Sequence, residues 1–222
     1  MTSQALRRCL LIFARDPQPG RVKTRLVPSL GVELATALYR QMLLDTLGTA
    51  ARTPVERCEL WVDRADPAPG LMQAAQDAEV SVRIQSGADL GMRMHRAFTT
   101  VLPTCRSAVL IGSDCPEYDT GYIEEAFAAL ERHDAVLGPA ADGGYVLIGL
   151  RRPQPGLFSN IAWGGDRVLD ETRRQLRGLA LDWHELPTLR DLDEPADLVH
   201  FPRLVERTAL TVHPTDRRAR DD

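Results

Sequence analysis

Apolar runs of strand length alternate with segments of helical period almost from the first residues, and this alternation is the strongest constraint on the fold. CLLIFA (9 to 14) precedes VELATALYRQMLLDTLGTAA, where Leu34, Leu38, Met42, Leu43 and Leu47 share one helical face. CELWVD (58 to 63), VSVRIQ (80 to 85) and SAVLIGS (107 to 113) read as further strands. The helical stretches PGLMQAAQDA and LGMRMHRAFTTVL separate them, and TGYIEEAFAALERH (120 to 133) follows the last. Strand and helix in turn define an α/β fold of three αβα layers, a mostly parallel sheet with helices on both faces.

The rhythm changes after Asp134. DAVLGPA and YVLIGL are separated only by ADGG, too short for a crossover helix, so the sheet is expected to be mixed, with an antiparallel element there. A helix DRVLDETRRQLRG, a strand LDWHELP and a last helix from near Glu194 complete one domain over 1 to 206. The 222 residues suffice for one sizeable core. From 207 to 222 the polar RTALTVHPTDRRARDD is expected to be a loose tail.

A formal net charge of -4 gives no overall attraction for nucleic acid or an acidic membrane, so any phosphate must be held by local cations. Arg15 and Asp16 end the first apolar run well short of a membrane span, and no membrane insertion is expected. Cys9, Cys58, Cys105 and Cys115 lack metal-site or scaffold spacing, which suggests reduced thiols and a cytoplasmic protein.

Local cations do occur. FARDPQPGRVKTRLVP directly follows the first strand, and ligands of α/β sheets bind outside the carboxyl ends of strands. The loop carries Arg15, Gly20, Lys23, Thr24 and Arg25, with Gly20 able to bring backbone amides close to a phosphate. It is neither a P-loop nor a GxGxxG loop. After the third strand, Gln85, Asp89 and Arg93 are further candidates for the nucleotide, Gln85 through a base edge.

Several acids have a structural explanation beside a chemical one. In GSDCP, Asp114 is either a helix cap or a carboxylate holding a hard divalent cation with substrate phosphates, and Ser113 or Asp119 could do the capping instead. In ADGGY, Asp142, Gly143, Gly144 and Tyr145 make a turn and a pocket rim, where Asp142 could act as base. Asp191 and Asp193 in LRDLDEP lie two apart, which puts both on one side of an extended segment, while Asp193 before Pro195 also suits a cap. Trp163 is core or a stacking platform. No histidine has ligand-like spacing.

Taken in order, the basic loop, GSDCP, GPAADGGYVLIGL, Trp163 and LRDLDEPADL resemble the rSAM/selenodomain-associated transferase 1 family over roughly residues 8 to 200. That family is labelled a GT-A-type glycosyltransferase and associated in some members with arsenosugar biosynthesis. The resemblance implies the Rossmann-like nucleotide-diphospho-sugar transferase fold. It implies Asp114 with Asp191 or Asp193 as ligands of Mg²⁺ or Mn²⁺, and Arg15, Lys23 and Arg25 on the nucleotide phosphates. It places Asp142, Gly143, Gly144 and Tyr145 toward the transferred group or a small-molecule acceptor; Trp163 is a further candidate there, and Asp142 and Lys23 are the candidate catalytic residues. Gly164 and Gly165 stand where a Ser or Thr is expected after Trp163.

VKTRL and the following helix are also similar to 2-phospholactate guanylyltransferase and, more distantly, to molybdenum cofactor guanylyltransferases. Transfer of a sugar from a nucleotide sugar is therefore the first expectation. Nucleotidyl transfer from a nucleoside triphosphate with release of pyrophosphate is the alternative, and a non-catalytic nucleotide-binding module the third.

Overall fold

The computed structural model describes residues 8 to 212. The four early apolar runs form β1 (Arg8–Ala14), β2 (Arg57–Val62), β3 (Ser81–Ile84) and β4 (Ser107–Gly112). With β5 (Ala135–Pro139), β6 (Tyr145–Leu150) and β7 (Trp183–Glu185) they make a seven-stranded sheet in the order β3-β2-β1-β4-β6-β5-β7. β1 pairs in parallel with β2 and β4, β2 with β3, and β5 with β7. β6 alone runs against its neighbours, β4 and β5. The short ADGG link thus sends the chain back into the middle of the sheet.

The helices are α1 (Val27–Arg52), α2 (Pro69–Asp77), α3 (Leu90–Val101), α4 (Thr120–Ala129), α5 (Val168–Gly178) and α6 (Pro202–Val212). α1 is broken at Gly31, whose φ of 76° is left-handed, so its regular part starts where the apolar period does. Alternate side chains of β1 go to opposite faces, as a strand's period of two requires. Leu10 and Ile12 pack with Leu38 and Met42 of α1, Phe127 of α4 and Leu204 of α6. Leu11 and Phe13 pack with Phe98 of α3 and Leu176 of α5. Each such fully buried side chain contributes about 1.5–3 kcal/mol.

Three expectations are corrected. The segment after Glu194 begins as a short 3-10 stretch, Pro195–His200, and the α-helix starts only at Pro202. Residues 207 to 212, expected in the loose tail, continue α6, because Thr208 is buried and Arg207 pairs with Asp45 of α1; residues 213 to 222 lie outside the described residues. Cys9 and Cys105 form a disulfide, leaving Cys58 and Cys115 free. Parallel pairing of β1 with β4 brings the first pair together across a sequence separation of 96 that hides it, and cysteine usage then no longer argues for a reducing compartment. Among the described residues no helix is long and apolar enough to cross a membrane.

Candidate active site

β1 and β4 end side by side, β6 begins next to them, and a cleft of about 670 Å³ opens over that edge of the sheet. The loop after β1 forms one wall. Its buried Asp16 accepts from the Ala68 amide (3.0 Å) and Gln18 Nε2 (2.7 Å), while the Asp16 amide donates to Asp63 (2.8 Å). Arg15 stays exposed in the cleft. Lys23 adopts a left-handed backbone (φ 45°, ψ 43°) and buries its side chain to 3% exposure. A non-glycine residue held there is costly unless its surroundings demand it.

Lys23 Nζ is 3.4 Å from Asp114 Oδ2 and 3.4 Å from Asp193 Oδ1. Arg25 reaches Asp193 Oδ2 at 3.0 Å and Glu194 at 3.2 Å. The capping question at GSDCP is settled by hydrogen bonds. Asp119 caps α4 by accepting from the Tyr122 amide (2.7 Å), and the buried Ser113 hydroxyl pairs with that of Tyr39 (2.8 Å), which also accepts from the Arg15 amide (2.8 Å). Asp114 is left free to face the cleft. Gly112 makes room for it, since a Cβ there would stand 2.8 Å from Asp114 Oδ1.

The late acids are fixed by their neighbours. The Leu192 amide donates to the Asp114 carbonyl (3.0 Å), Cys115 Sγ donates to the Arg190 carbonyl (3.3 Å), and Leu192 itself is buried. Asp191 and Asp193 on either side of it both line the cleft. Glu194, not Asp193, caps the 3-10 stretch, in a reciprocal box with Asp197. Asp191 meets a different environment from Asp193: burial first, then the Asp142 and Asp114 carboxylates, pushes its carboxyl up to about 6 against the opposing charge of Lys23.

Other expected residues divide between wall and support. Thr24, Arg93, Asp142, Gly144, Tyr145 and Trp163 line the cleft, whereas Gly20 and Gly143 do not. Gly143 has φ +90° and lies under the Asp166 carbonyl, 2.0 Å from where a Cβ would be, so it serves close packing. Asp142 Oδ1 accepts from the Gly144 amide (2.8 Å) and so shapes the turn as well as the wall. Gln85 lines the cleft, and its Nε2 donates to the Ala14 (3.0 Å) and Trp61 (2.8 Å) carbonyls, which leaves its Oε1 as the atom to meet a ligand. Asp89 caps α3 through the Met92 amide (2.8 Å). Trp163 stands edge-on to Tyr145 (centroids 6.5 Å apart, 86°) over Gly91, where a Cβ would meet its ring at 2.5 Å.

Asp63, Tyr39 and Gly112 were not singled out from sequence. Asp63 follows β2 as Asp114 follows β4, so the rule about strand ends could have found it; the others carry no local signal.

Among the described residues no group of three or more His, Cys, Asp or Glu side chains is arranged to hold a metal unaided. Asp114 and Asp193 nonetheless present two oxygens to one point, marked by Lys23 Nζ. This suits a hard divalent cation that takes one or two carboxylates and completes its shell with substrate phosphates and water.

A cleft at the strand carboxyl ends of a mixed, mostly parallel sheet makes the chain an α/β protein, and its likeness to a solved structure gives it the nucleotide-diphospho-sugar transferase fold. Its sequence matches over residues 46–165 the family described as "Uncharacterized protein conserved in bacteria (DUF2064)", and the chain belongs to that family. A crystal structure from Desulfovibrio desulfuricans G20, described provisionally as a nucleotide-diphospho-sugar transferase, is 30% identical with a TM-score of 0.78, covering 90% of this chain and 97% of that one. Two more distant structures share the fold. The 4-diphosphocytidyl-2C-methyl-D-erythritol synthase of Anaerococcus prevotii is 11% identical (TM-score 0.59; 90% and 96% covered). Glucosyl-3-phosphoglycerate synthase of Mycobacterium tuberculosis, in complex with Mn²⁺, UDP and glucosyl-3-phosphoglycerate, is 12% identical (TM-score 0.53; 93% and 80%). No curated protein matches the chain.

Proposed function

We propose that the protein is a metal-dependent glycosyltransferase that moves a sugar from a nucleotide-sugar donor to a small-molecule acceptor. The observation that carries this reading is the meeting in one cleft of three cations, Arg15, Lys23 and Arg25, with four carboxylates, Asp114, Asp142, Asp191 and Asp193. The resemblance to the rSAM/selenodomain-associated transferases and the 30% identity to the Desulfovibrio protein support it.

Arg15, Lys23 and Arg25 would bind the diphosphate and offset the negative charge that grows on it as the glycosidic bond breaks. Mg²⁺ or Mn²⁺ at Asp114 and Asp193 would supply Lewis-acid stabilisation of the same group. Asp142 would take the acceptor hydroxyl's proton through Oδ2, its Oδ1 being held by the Gly144 amide. Trp163 and Tyr145 would flank the sugar or acceptor, with Gly164 and Gly165 offering backbone in place of a hydroxyl.

Nucleotidyl transfer is the second reading. It is favoured by Arg93 as a fourth cationic residue in the cleft, more than a diphosphate needs. It is disfavoured by Asp142 and Asp191, which would repel a phosphorylated acceptor.

A thermal-shift panel of nucleotide sugars and nucleoside triphosphates with Mg²⁺ or Mn²⁺ tests both, because a ligand that binds only the native state raises its midpoint. A nucleotide sugar should give the larger shift and release nucleoside diphosphate slowly. Asp114→Ala should remove the metal-dependent part while leaving the protein folded. Pyrophosphate release from a triphosphate would establish the second reading, and absence of any shift across the panel would sink both.

A further inference from the structure

Of the 27 lysines and arginines in the sequence, Lys23 is the only lysine. It occupies the most enclosed cationic position of the cleft, on a left-handed backbone, between two carboxylates at equal distance. Arginine's planar fork suits bidentate pairing with one carboxylate, whereas an ammonium is a compact point charge that can sit between two. A metal cation has the same compactness. An Mg²⁺ bound to both acids would need oxygens at about 2.0–2.1 Å around a point where Lys23 Nζ now stands.

We infer that Lys23 is a built-in stand-in for the metal, so that the ammonium and a divalent cation exclude each other between Asp114 and Asp193. Lys23 and Arg25, the latter shared with Glu194, already offset part of the charge of the two carboxylates and so weaken their pull on a metal. Phosphates offer those two cations a better partner and release the acids. Metal and nucleotide then enter together, and by reciprocity each raises the other's affinity by the same factor. This ordering of the site rests on the proposed use of a nucleotide donor; the exclusion of metal by Lys23 does not.

The exclusion is tested without nucleotide on the full chain, titrating Mn²⁺ and following the free ion by electron paramagnetic resonance. Lys23→Met should raise Mn²⁺ affinity at least tenfold. Arg15→Met removes one charge from the same cleft without touching the acids and should change it less than threefold. Equal gains in the two variants, or none in Lys23→Met, would overturn the inference. Should Lys23→Met fail to fold, the wild-type protein still decides. Because Lys23 is the only lysine, amine acylation mapped by mass spectrometry reports its exposure alone. Saturating Mn²⁺ should speed its modification at least fivefold, and an unchanged or slower rate would overturn the inference. If no nucleotide binds, the proposed function fails while these measurements still stand.

Discussion

A methyl group on Gly112 would lie 2.8 Å from Asp114 Oδ1, on a backbone whose φ is not left-handed. Gly112→Ala should therefore turn the carboxylate aside at little cost to the fold. The expected outcome is loss of most of the metal-dependent part of the nucleotide-induced shift, with the ligand-free midpoint moved by less than about 1 kcal/mol equivalent; thermal-shift measurements with and without Mn²⁺ check it. At this scale sequence reading had an uneven reach. That Asp114 escapes capping was legible, because Asp119 stood ready for the helix. That Asp191 and Asp193 meet different surroundings was not, since spacing of two treats them alike. What separates them is long-range: Lys23 and Arg25 reach one, while Asp142 and burial act on the other.

Elements at the sheet's edge depend on side-chain pairing more than on burial. β7 has three half-buried residues, and Glu185 on it takes a two-point grip from Arg173 of α5 (2.8 and 2.7 Å) and a third bond from Trp183 Nε1 (3.0 Å). The Arg173 bonds, ahead of the Trp183 bond, lower the Glu185 carboxyl below its ordinary value. A lowered folded-state value means stability that is fully present above the unfolded value of 4.5 and lost as pH falls through the folded one. Glu185→Gln should thus cost about 1–2 kcal/mol at pH 7, and the gap to wild type should close as pH drops below that range, as urea denaturation at several pH values would show. Strand and helix alternation made most elements readable in advance. It could not show that β6 enters between β4 and β5, because register and neighbour choice are set by packing across the sheet. Nor could it extend α6 through a polar stretch, whose helix survives by laying Leu204 and Thr208 against the body of the protein.

For the molecule as a whole, the two hydrophobic layers meet on one sheet, and the disulfide ties the starts of its central strands. A bond closing a separation of 96 residues restricts the unfolded chain by about 4–5 kcal/mol in the chain-entropy account. Reduction should lower the urea midpoint markedly in the wild type and not at all in Cys9→Ser, which equilibrium denaturation with and without reductant would measure. The hydrogen bond from the Leu192 amide to the Asp114 carbonyl has a consequence in time. During synthesis the basic loop and Asp114 emerge long before residues 190 to 193, so Lys23 waits with half its partners and the cleft with one wall missing. Contacts of such separation form late. Nascent chains carry every strand of the sheet's centre before they carry a complete cleft, whose acidic side is finished only when residues 190 to 193 have emerged.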